Sequence, residues 1–120
     1  MCIRDSLTPY LPKLPRRGLV HSFVGTTAQM QILTSMGFDI SVNGFSFRSH
    51  ESLEMVRAIP LERLQIETDA PWGEIQDREE VAKAYLVDAA PLPAAKKKEK
   101  WEVGKMVRGR NEPSAHRYYG

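Results

Sequence analysis

Short apolar stretches recur through the middle of the chain and end at turn residues. The stretch "GLVHSFVG" is mostly apolar and closes at Gly25, and "FDISVNG" alternates apolar and polar positions before an Asn-Gly pair. Both patterns predict strands. A third strand is predicted in "RLQIETDAP", where the apolar run ends at a proline.

The segments between these strands carry the spacing of amphipathic helices. In "TTAQMQILTSMG", Thr26 or Thr27 can cap the helix and Gly37 can end it. In "SHESLEMVRAIP", Ser49 can cap and Pro60 follows the end. The predicted buried faces are Met30, Leu33 and Met36 in the first helix, and Leu53, Val56 and Ile59 in the second.

This order of strand, helix, strand, helix, strand predicts an α/β fold with a parallel sheet and right-handed crossovers. Short strands suit a (β/α) barrel at least as well as an open sheet. Residues 1–16 contain three prolines and are expected to be an irregular lead, so the folded part is assigned to residues 17–120. Residues 77–86 can form another helix, and residues 89–95 have the composition of a linker.

Composition narrows the class of protein without naming its function. The 120 residues suffice for one modest domain, and the net charge of +2 does not by itself require a nucleic-acid partner. One cysteine excludes a disulfide framework within the chain and a cysteine zinc cluster. No apolar run reaches the roughly 18 residues that span a bilayer, and no secretory leader is recognised. The cytoplasm or the nucleus is therefore the expected location, with no membrane partner.

Polar residues with useful chemistry follow each predicted strand. His21 with Ser22, Asn43 and Asp69 come at the carboxyl ends of the strands, where parallel α/β folds gather their functional groups. Strand alternation would place Leu19, His21 and Phe23 on one face, and Glu67 with Asp69 on one face. If these faces converge, imidazole and carboxylate can bind zinc, manganese or magnesium. A carboxylate beside the metal can take a proton from the attacking water.

Simpler roles fit the same residues. His21 can be a hydrogen-bonded core residue, Asp69 can cap the next turn through an Asx bond, and Asn43 can be a turn residue. Glu67 can pair with an arginine or lysine inside the sheet, or support a metal ligand from behind. Arg110 can bind a phosphate or pair with Glu112. The run "KKKEKW" can be a solvated surface or can contact nucleic acid.

Four strings taken together resemble one known family. "GLVHSFVGT", "MGFDISVNG", "IPLERLQIETDAPW" and "GRNEP", in this order and spacing, are similar to the carboxyl-terminal half of the TatD family of metal-dependent deoxyribonucleases. The similarity covers roughly residues 14–113. It is nearest to the eukaryotic branch, because a lysine-rich insert separates "ETDAPW" from "RNEP".

The resemblance implies a TIM-like, amidohydrolase-like barrel, two divalent metal ions (magnesium, manganese or zinc) and hydrolysis of DNA phosphodiester bonds by metal-activated water. His21 matches the family's metal-binding histidine, and Asp69 matches an acid that binds metal and helps activate water. Arg110 and Asn111 match the "RNEP" string, for which a substrate-binding role is the expectation. DNA is the implied partner.

The chain departs from the family pattern in two respects. It contains no His-x-His pair, and it supplies about three carboxyl-terminal βα units where the barrel needs eight. We therefore expect a fragment whose isolated form is inactive. Two alternatives remain on sequence grounds: a metal hydrolase of amides or small esters, and a non-enzymatic nucleic-acid-binding fragment that uses "KKKEKW", Arg108, Arg110 and Arg117.

Overall fold

The computed structural model describes residues 3–75, 83 and 93–113 of the chain. Within these residues, three helices and five strands are joined by short 3₁₀ turns. The helices are α1 (Ile3–Leu7), α2 (Thr27–Ser35) and α3 (His50–Arg57), and the strands are β1 (Leu19–Val20), β2 (Asp39–Val42), β3 (Leu64–Ile66), β4 (Ala95–Lys96) and β5 (Met106–Val107).

The first three strands form the parallel sheet that the sequence predicts. They lie in the order β1-β2-β3, so each strand pairs with its neighbour along the chain. Leu19 lies opposite Asp39, and Val42 lies opposite Ile66. The carboxyl ends of all three strands therefore meet at one edge of the sheet.

Both long helices begin at the predicted caps. Thr26 accepts a hydrogen bond from the Gln29 amide at 3.2 Å, and the Gln29 side chain accepts one from the Thr26 amide at 3.0 Å. This reciprocal pair satisfies two amides at the start of α2. Ser49 caps α3 by accepting from the Ser52 amide at 3.1 Å. Gly37 follows α2 with φ of 92°, a conformation that favours glycine.

The hydrophobic core lies between the sheet and helices α2 and α3. Met30, Ile40, Val42, Met55 and Ile59 are buried there. Ile40 and Val42 occupy one face of β2, so the helices cover that face and the intervening Ser41 points the other way. Ser41 is nevertheless only 1% exposed. The central strand is thus buried on both faces, as is usual for a parallel sheet.

The predicted strands are correct in place but too long at their carboxyl ends. β1 ends at Val20, and Ser22 has a φ of 50°. β3 ends at Ile66, and Asp69 has a φ of 57°. A strand cannot continue through a residue in this left-handed region. The simple alternation that put His21 with Phe23, and Glu67 with Asp69, on single strand faces is therefore wrong.

The ends of the chain also differ from expectation. The lead that was expected to be irregular contains α1 and a 3₁₀ helix over Thr8–Lys13. The last residue of the predicted linker, Ala95, begins β4, which pairs in parallel with β5 in a second small sheet. The predicted helix at residues 77–86 lies outside the described residues apart from Lys83, and so does Arg117.

Candidate functional site

The imidazole of His21 is held by a carboxylate from the far strand of the sheet. His21 directly follows β1, and Glu67 directly follows β3. The His21 Nε2 atom lies 2.9 Å from Glu67 Oε2. The Glu67 amide also donates to the Val42 carbonyl at 3.0 Å, which extends the sheet by one bond and fixes the start of this side chain. The partner of Glu67 is therefore a histidine and not an arginine or lysine, so of the two roles that the sequence left open the contact favours support of a histidine from behind.

This contact determines which imidazole nitrogen faces outward. A nitrogen that contacts a carboxylate at this distance carries the proton and donates it. In the neutral ring the other nitrogen, Nδ1, then keeps a free lone pair. The His21 side chain is 65% exposed, so Nδ1 is open to a ligand. A carboxylate behind a histidine is the usual arrangement for orienting a metal-binding imidazole.

Buried polar side chains beneath this pair tie the three strand ends together. Asn43 is fully buried and donates from Nδ2 to Ser22 Oγ at 2.7 Å and to Glu67 Oε1 at 3.4 Å. The Ser22 amide in turn donates to Ser41 Oγ at 2.8 Å. A polar chain thus runs from β1 through β2 to β3.

Asn43 has a second function that agrees with its predicted place in a turn. Its Oδ1 atom accepts from the Phe45 amide at 3.0 Å and caps the 3₁₀ helix Gly44–Phe47. The link from Asn43 to Glu67 was not predicted. The available signal was an amide side chain directly after a predicted buried strand, since buried amides need partners.

The carboxylate of Asp69 lies in a tight turn beyond β3. The Trp72 amide donates to the Asp69 carbonyl at 2.8 Å, and the Ala70 amide donates to Thr68 Oγ1 at 3.3 Å. The Thr68 side chain, not that of Asp69, therefore makes the local turn contact. Within the part of the chain that the structure describes, no hydrogen bond or ion pair to the Asp69 carboxylate is found. Asp69 is two residues beyond Glu67, so their Cα atoms are within about 7 Å.

Asn111 is placed behind the Asp69 turn. It is only 3% exposed, and its Nδ2 atom donates to the Thr68 carbonyl at 2.6 Å. Its backbone amide donates to the Pro71 carbonyl at 2.9 Å, and its Oδ1 atom accepts from the Glu112 amide at 3.0 Å. Every polar group of the side chain is thus engaged with backbone, which suits a structural support better than the substrate contact expected from sequence.

Arg110 is exposed and lines a cleft next to the same turn. The cleft has a volume of about 280 Å³ and is formed by Ala70, Pro71 and residues 110–113. Within the described part of the chain, no ion pair between Arg110 and Glu112 is found, so this alternative pairing is not formed there. The guanidinium is therefore available to an anion at the mouth of the cleft.

The donor set fits part of a metal site. A lone pair on imidazole and an unpartnered carboxylate are ligands for zinc, manganese and magnesium. Among the residues that the structure describes, no cluster of three or more His, Cys, Asp or Glu side chains is arranged to hold an ion. A catalytic zinc usually needs three protein ligands. The described residues can therefore contribute ligands to a site but do not complete one.

Comparison with known proteins supplies the family. The sequence model described as "TatD related DNase" matches residues 5–110. The chain belongs to the TatD family. The family resemblance that the four strings indicated is therefore confirmed.

Curated relatives from several organisms match most of the chain. "Deoxyribonuclease Tat-D" of Schizosaccharomyces pombe is 45% identical over 89% of the chain, and this match spans 34% of the relative. A protein of the same name from Saccharomyces cerevisiae is 39% identical over 82% of the chain and is matched over 27% of its own length. "3'-5' ssDNA/RNA exonuclease TatD" of a Rahnella strain is 37% identical over 72% of the chain and is matched over 34% of its length. The chain thus spans about a third of these relatives.

Solved structures agree with this assignment. A "hydrolase TatD family protein" from Entamoeba histolytica superposes with a TM-score of 0.77 at 34% identity, over 97% of this chain and 38% of its own. An "uncharacterized amidohydrolase" from S. cerevisiae superposes with a TM-score of 0.75 at 38% identity, over 83% of this chain and 32% of its own. No described helix of the TatD-family chain is long and apolar enough to cross a membrane.

Proposed function

We propose that this chain is the carboxyl-terminal part of a metal-dependent deoxyribonuclease that hydrolyses phosphodiester bonds in DNA. The observation that carries the proposal is the exposed imidazole of His21, held by Glu67, at the sheet edge beyond which lies Asp69, whose carboxylate has no partner among the described residues. The family match and the names of the relatives support a nuclease over other hydrolases.

In this proposal the three parallel strands are neighbours in an eight-stranded (β/α) barrel. Helices cover the Ile40 face of the sheet, and polar side chains occupy the other face at its carboxyl end. Helices outside and functional groups at the carboxyl mouth are the arrangement of such barrels. The relatives, about three times longer than the match, have room for the other strands.

His21 and Asp69 would hold divalent cations, with magnesium, manganese and zinc all compatible with the donors. When bound, such cations supply an activated water and offset negative charge on the phosphate oxygens. Two of the chain's own residues, Glu67 and Asp69, would orient the histidine and accept a proton. Glu67 accepts from Nε2 of His21 and so leaves the Nδ1 lone pair of the neutral ring for a ligand, and an Asp69 oxygen would accept the proton of the water that attacks phosphorus as the phosphodiester bond breaks. Further ligands come from the remaining strands.

Arg110 would position the substrate. A guanidinium has the planar fork that matches two phosphate oxygens. It lines the same cleft as Ala70 and Pro71, the two residues that follow Asp69 in the chain. A phosphate in the cleft would therefore contact the turn that carries Asp69, although the Asp69 side chain does not itself line the cleft.

One specific observation favours a second activity, the hydrolysis of an amide or a small ester. The S. cerevisiae structure that superposes at 38% identity is titled an amidohydrolase. The same donors can polarise an amide or small ester carbonyl, and fold alone does not distinguish these substrates. Comparing rates on DNA with rates on a panel of simple amides separates the two activities.

The test is cleavage of supercoiled plasmid with magnesium or manganese. The 120-residue chain is assayed alone and after refolding with the amino-terminal part of the S. pombe relative. Alone, we expect no cleavage above an Asp69→Asn control. After reconstitution we expect cleavage that a chelator abolishes and that Asp69→Asn lowers by about 100-fold or more.

Asp39→Asn is the matched control, because Asp39 pairs with Arg63 at the start of β2 and away from the carboxyl edge. Its cleavage rate should stay within a few-fold of the unmodified chain. Equal rates for the reconstituted Asp69→Asn variant and the unmodified chain would contradict the proposal. Cleavage by the isolated chain above its own Asp69→Asn variant would refute the expected inactivity.

A further inference from the structure

The turn that carries Asp69 is fixed from two sides. On one side, Gly73 packs so closely on Gly44 that a Cβ atom at Gly44 would overlap the Gly73 carbonyl. On the other side, Asn111 bonds the carbonyls of Thr68 and Pro71. The second contact joins residues 43 positions apart in the sequence.

The two bonds of Asn111 bracket the proposed metal ligand. Thr68 precedes Asp69, and Pro71 follows it by two residues. Asp69 itself has a φ of 57°, a conformation that residues with a side chain adopt rarely and that surrounding contacts must stabilise. Its carboxylate has no hydrogen-bond partner among the described residues that would place it independently. The backbone of the turn therefore sets the position of the carboxylate.

We propose that Asn111 is a positioning residue that holds the Asp69 turn in the conformation required for cation binding. The inference rests on the proposed function of Asp69 and gives the asparagine of the "RNEP" string a structural role at the site. Because Asn111 is anchored on the turn, it also fixes its neighbour Arg110 at the cleft beside Ala70 and Pro71. One buried side chain thus sets the spacing between the carboxylate and the guanidinium.

Two substitutions separate this role from general support of the fold. Asn111→Asp keeps the size and the acceptor for the Glu112 amide, but replaces the donor to the Thr68 carbonyl with an oxygen. Asn111→Ala removes the side-chain contacts without adding charge. Ile40→Val, a core change in β2 that leaves the turn intact, serves as the control for global destabilisation.

Local exchange is the first readout, measured on the 120-residue chain. The Trp72 amide, which donates to the Asp69 carbonyl, reports the turn, and the Asp39 amide, which donates to the Gly18 carbonyl, reports the sheet. In both Asn111 variants, we expect the ratio of the Trp72 amide exchange rate to the Asp39 amide exchange rate to rise about 10-fold. Ile40→Val should change both amides together.

Manganese binding is the second readout, measured after refolding with the amino-terminal part of the S. pombe relative and followed by the paramagnetic broadening of the Asp69, Ala70 and Trp72 amides. Loss of a group that orients a ligand typically weakens metal binding by 10- to 100-fold. We expect the manganese dissociation constant of both Asn111 variants to rise by about 10-fold or more, with Ile40→Val unchanged.

The outcomes distinguish the inference from the function on which it rests. Unchanged Trp72 exchange in both variants, or equal acceleration of the turn and the sheet, would overturn the positioning role. Faster turn exchange with unchanged manganese affinity would overturn it as well. If the reconstituted protein shows no broadening and Asp69→Asn changes nothing, the metal proposal fails, and the exchange ratio alone decides whether Asn111 holds the turn.

Discussion

At the scale of single residues, the contact between His21 and Glu67 matters for orientation more than for stability. His21 is 65% exposed on its side chain, and ion pairs at such positions contribute about 0–1 kcal/mol because water screens them. Two buried residues nevertheless hold Glu67 in place: the side chain of the fully buried Asn43 donates to its carboxylate, and the Val42 carbonyl accepts from its amide. A contact worth little energy but supported by a buried amide is better explained by the direction it imposes on the imidazole.

Replacing Glu67 tests this explanation. In Glu67→Ala the carboxylate that accepts from Nε2 is lost, so the imidazole should populate both neutral tautomers, while Glu67→Gln should give an intermediate result. Stability should fall by no more than about 1 kcal/mol. Long-range ¹⁵N–¹H spectra of His21 report the tautomer directly, and Glu62→Gln, an exposed change in a 3₁₀ turn, is the control. A single unchanged tautomer in Glu67→Ala would contradict the orienting role.

At the scale of elements, local sequence signals placed the caps and helices correctly. Thr26 and Ser49 lie at the helix starts where short-range hydrogen-bonding rules put them. Those rules involve residues only three positions apart, so the sequence contains them fully. The strand ends are different, because the left-handed residue Ser22 is bonded to Ser41 of β2, and the turn with left-handed Asp69 is bonded to Asn111, which is distant in the sequence.

The close packing of Gly44 against Gly73 gives a prediction for the element that follows β2. In Gly44→Ala a Cβ atom meets a backbone oxygen that cannot swing away, so overpacking of about 1–3 kcal/mol is expected. Gly104→Ala is the informative control, because Gly104 has open space around it but a φ of 83°. That variant carries backbone strain alone, of about 1 kcal/mol.

Urea unfolding of the Gly44→Ala and Gly104→Ala variants measures the free-energy cost of overpacking and the cost of backbone strain separately. The Gly44 variant should also accelerate exchange of the Trp72 amide, since the displaced Gly73 belongs to the same turn. A urea midpoint of Gly44→Ala equal to that of the unmodified chain would contradict this prediction, because it would show that the turn containing Gly73 can shift without cost.

At the scale of the whole molecule, charge distinguishes a specific phosphate contact from diffuse attraction to DNA. The net charge is only +2, so a large basic field is absent and single arginines can be compared. Arg110 lines the cleft beside the Asp69 turn, whereas Arg108 is exposed but does not line it. The two side chains have equal charge and lie two positions apart.

Replacing Arg110 and Arg108 one at a time tests the alternative that the chain binds nucleic acid without catalysing cleavage. If Arg110 binds the reacting phosphate, Arg110→Ala should lower DNA cleavage by the reconstituted protein about 10- to 100-fold, which corresponds to about 1.4–2.8 kcal/mol. Arg108→Ala should change it by less than three-fold. A basic binding surface without catalysis instead predicts equal losses of DNA affinity in both variants, with the same dependence on salt and none on chelator.

The sequence alone determined the order of strands and helices, the helix caps, the family and the two residues proposed to bind metal. These depend on local periodicity, on contacts within one helical turn and on strings of adjacent residues. Only the tertiary structure decided the partner of Glu67, the hydrogen bond from Asn43 to Glu67 and the attachment of Asn111 to the Asp69 turn. Asn43 and Glu67 are 24 residues apart, and Asn111 and Thr68 are 43 residues apart. The reason is geometric: parallel strands bring their carboxyl ends together only after the crossovers close, and short-range rules do not specify which donors then meet which acceptors.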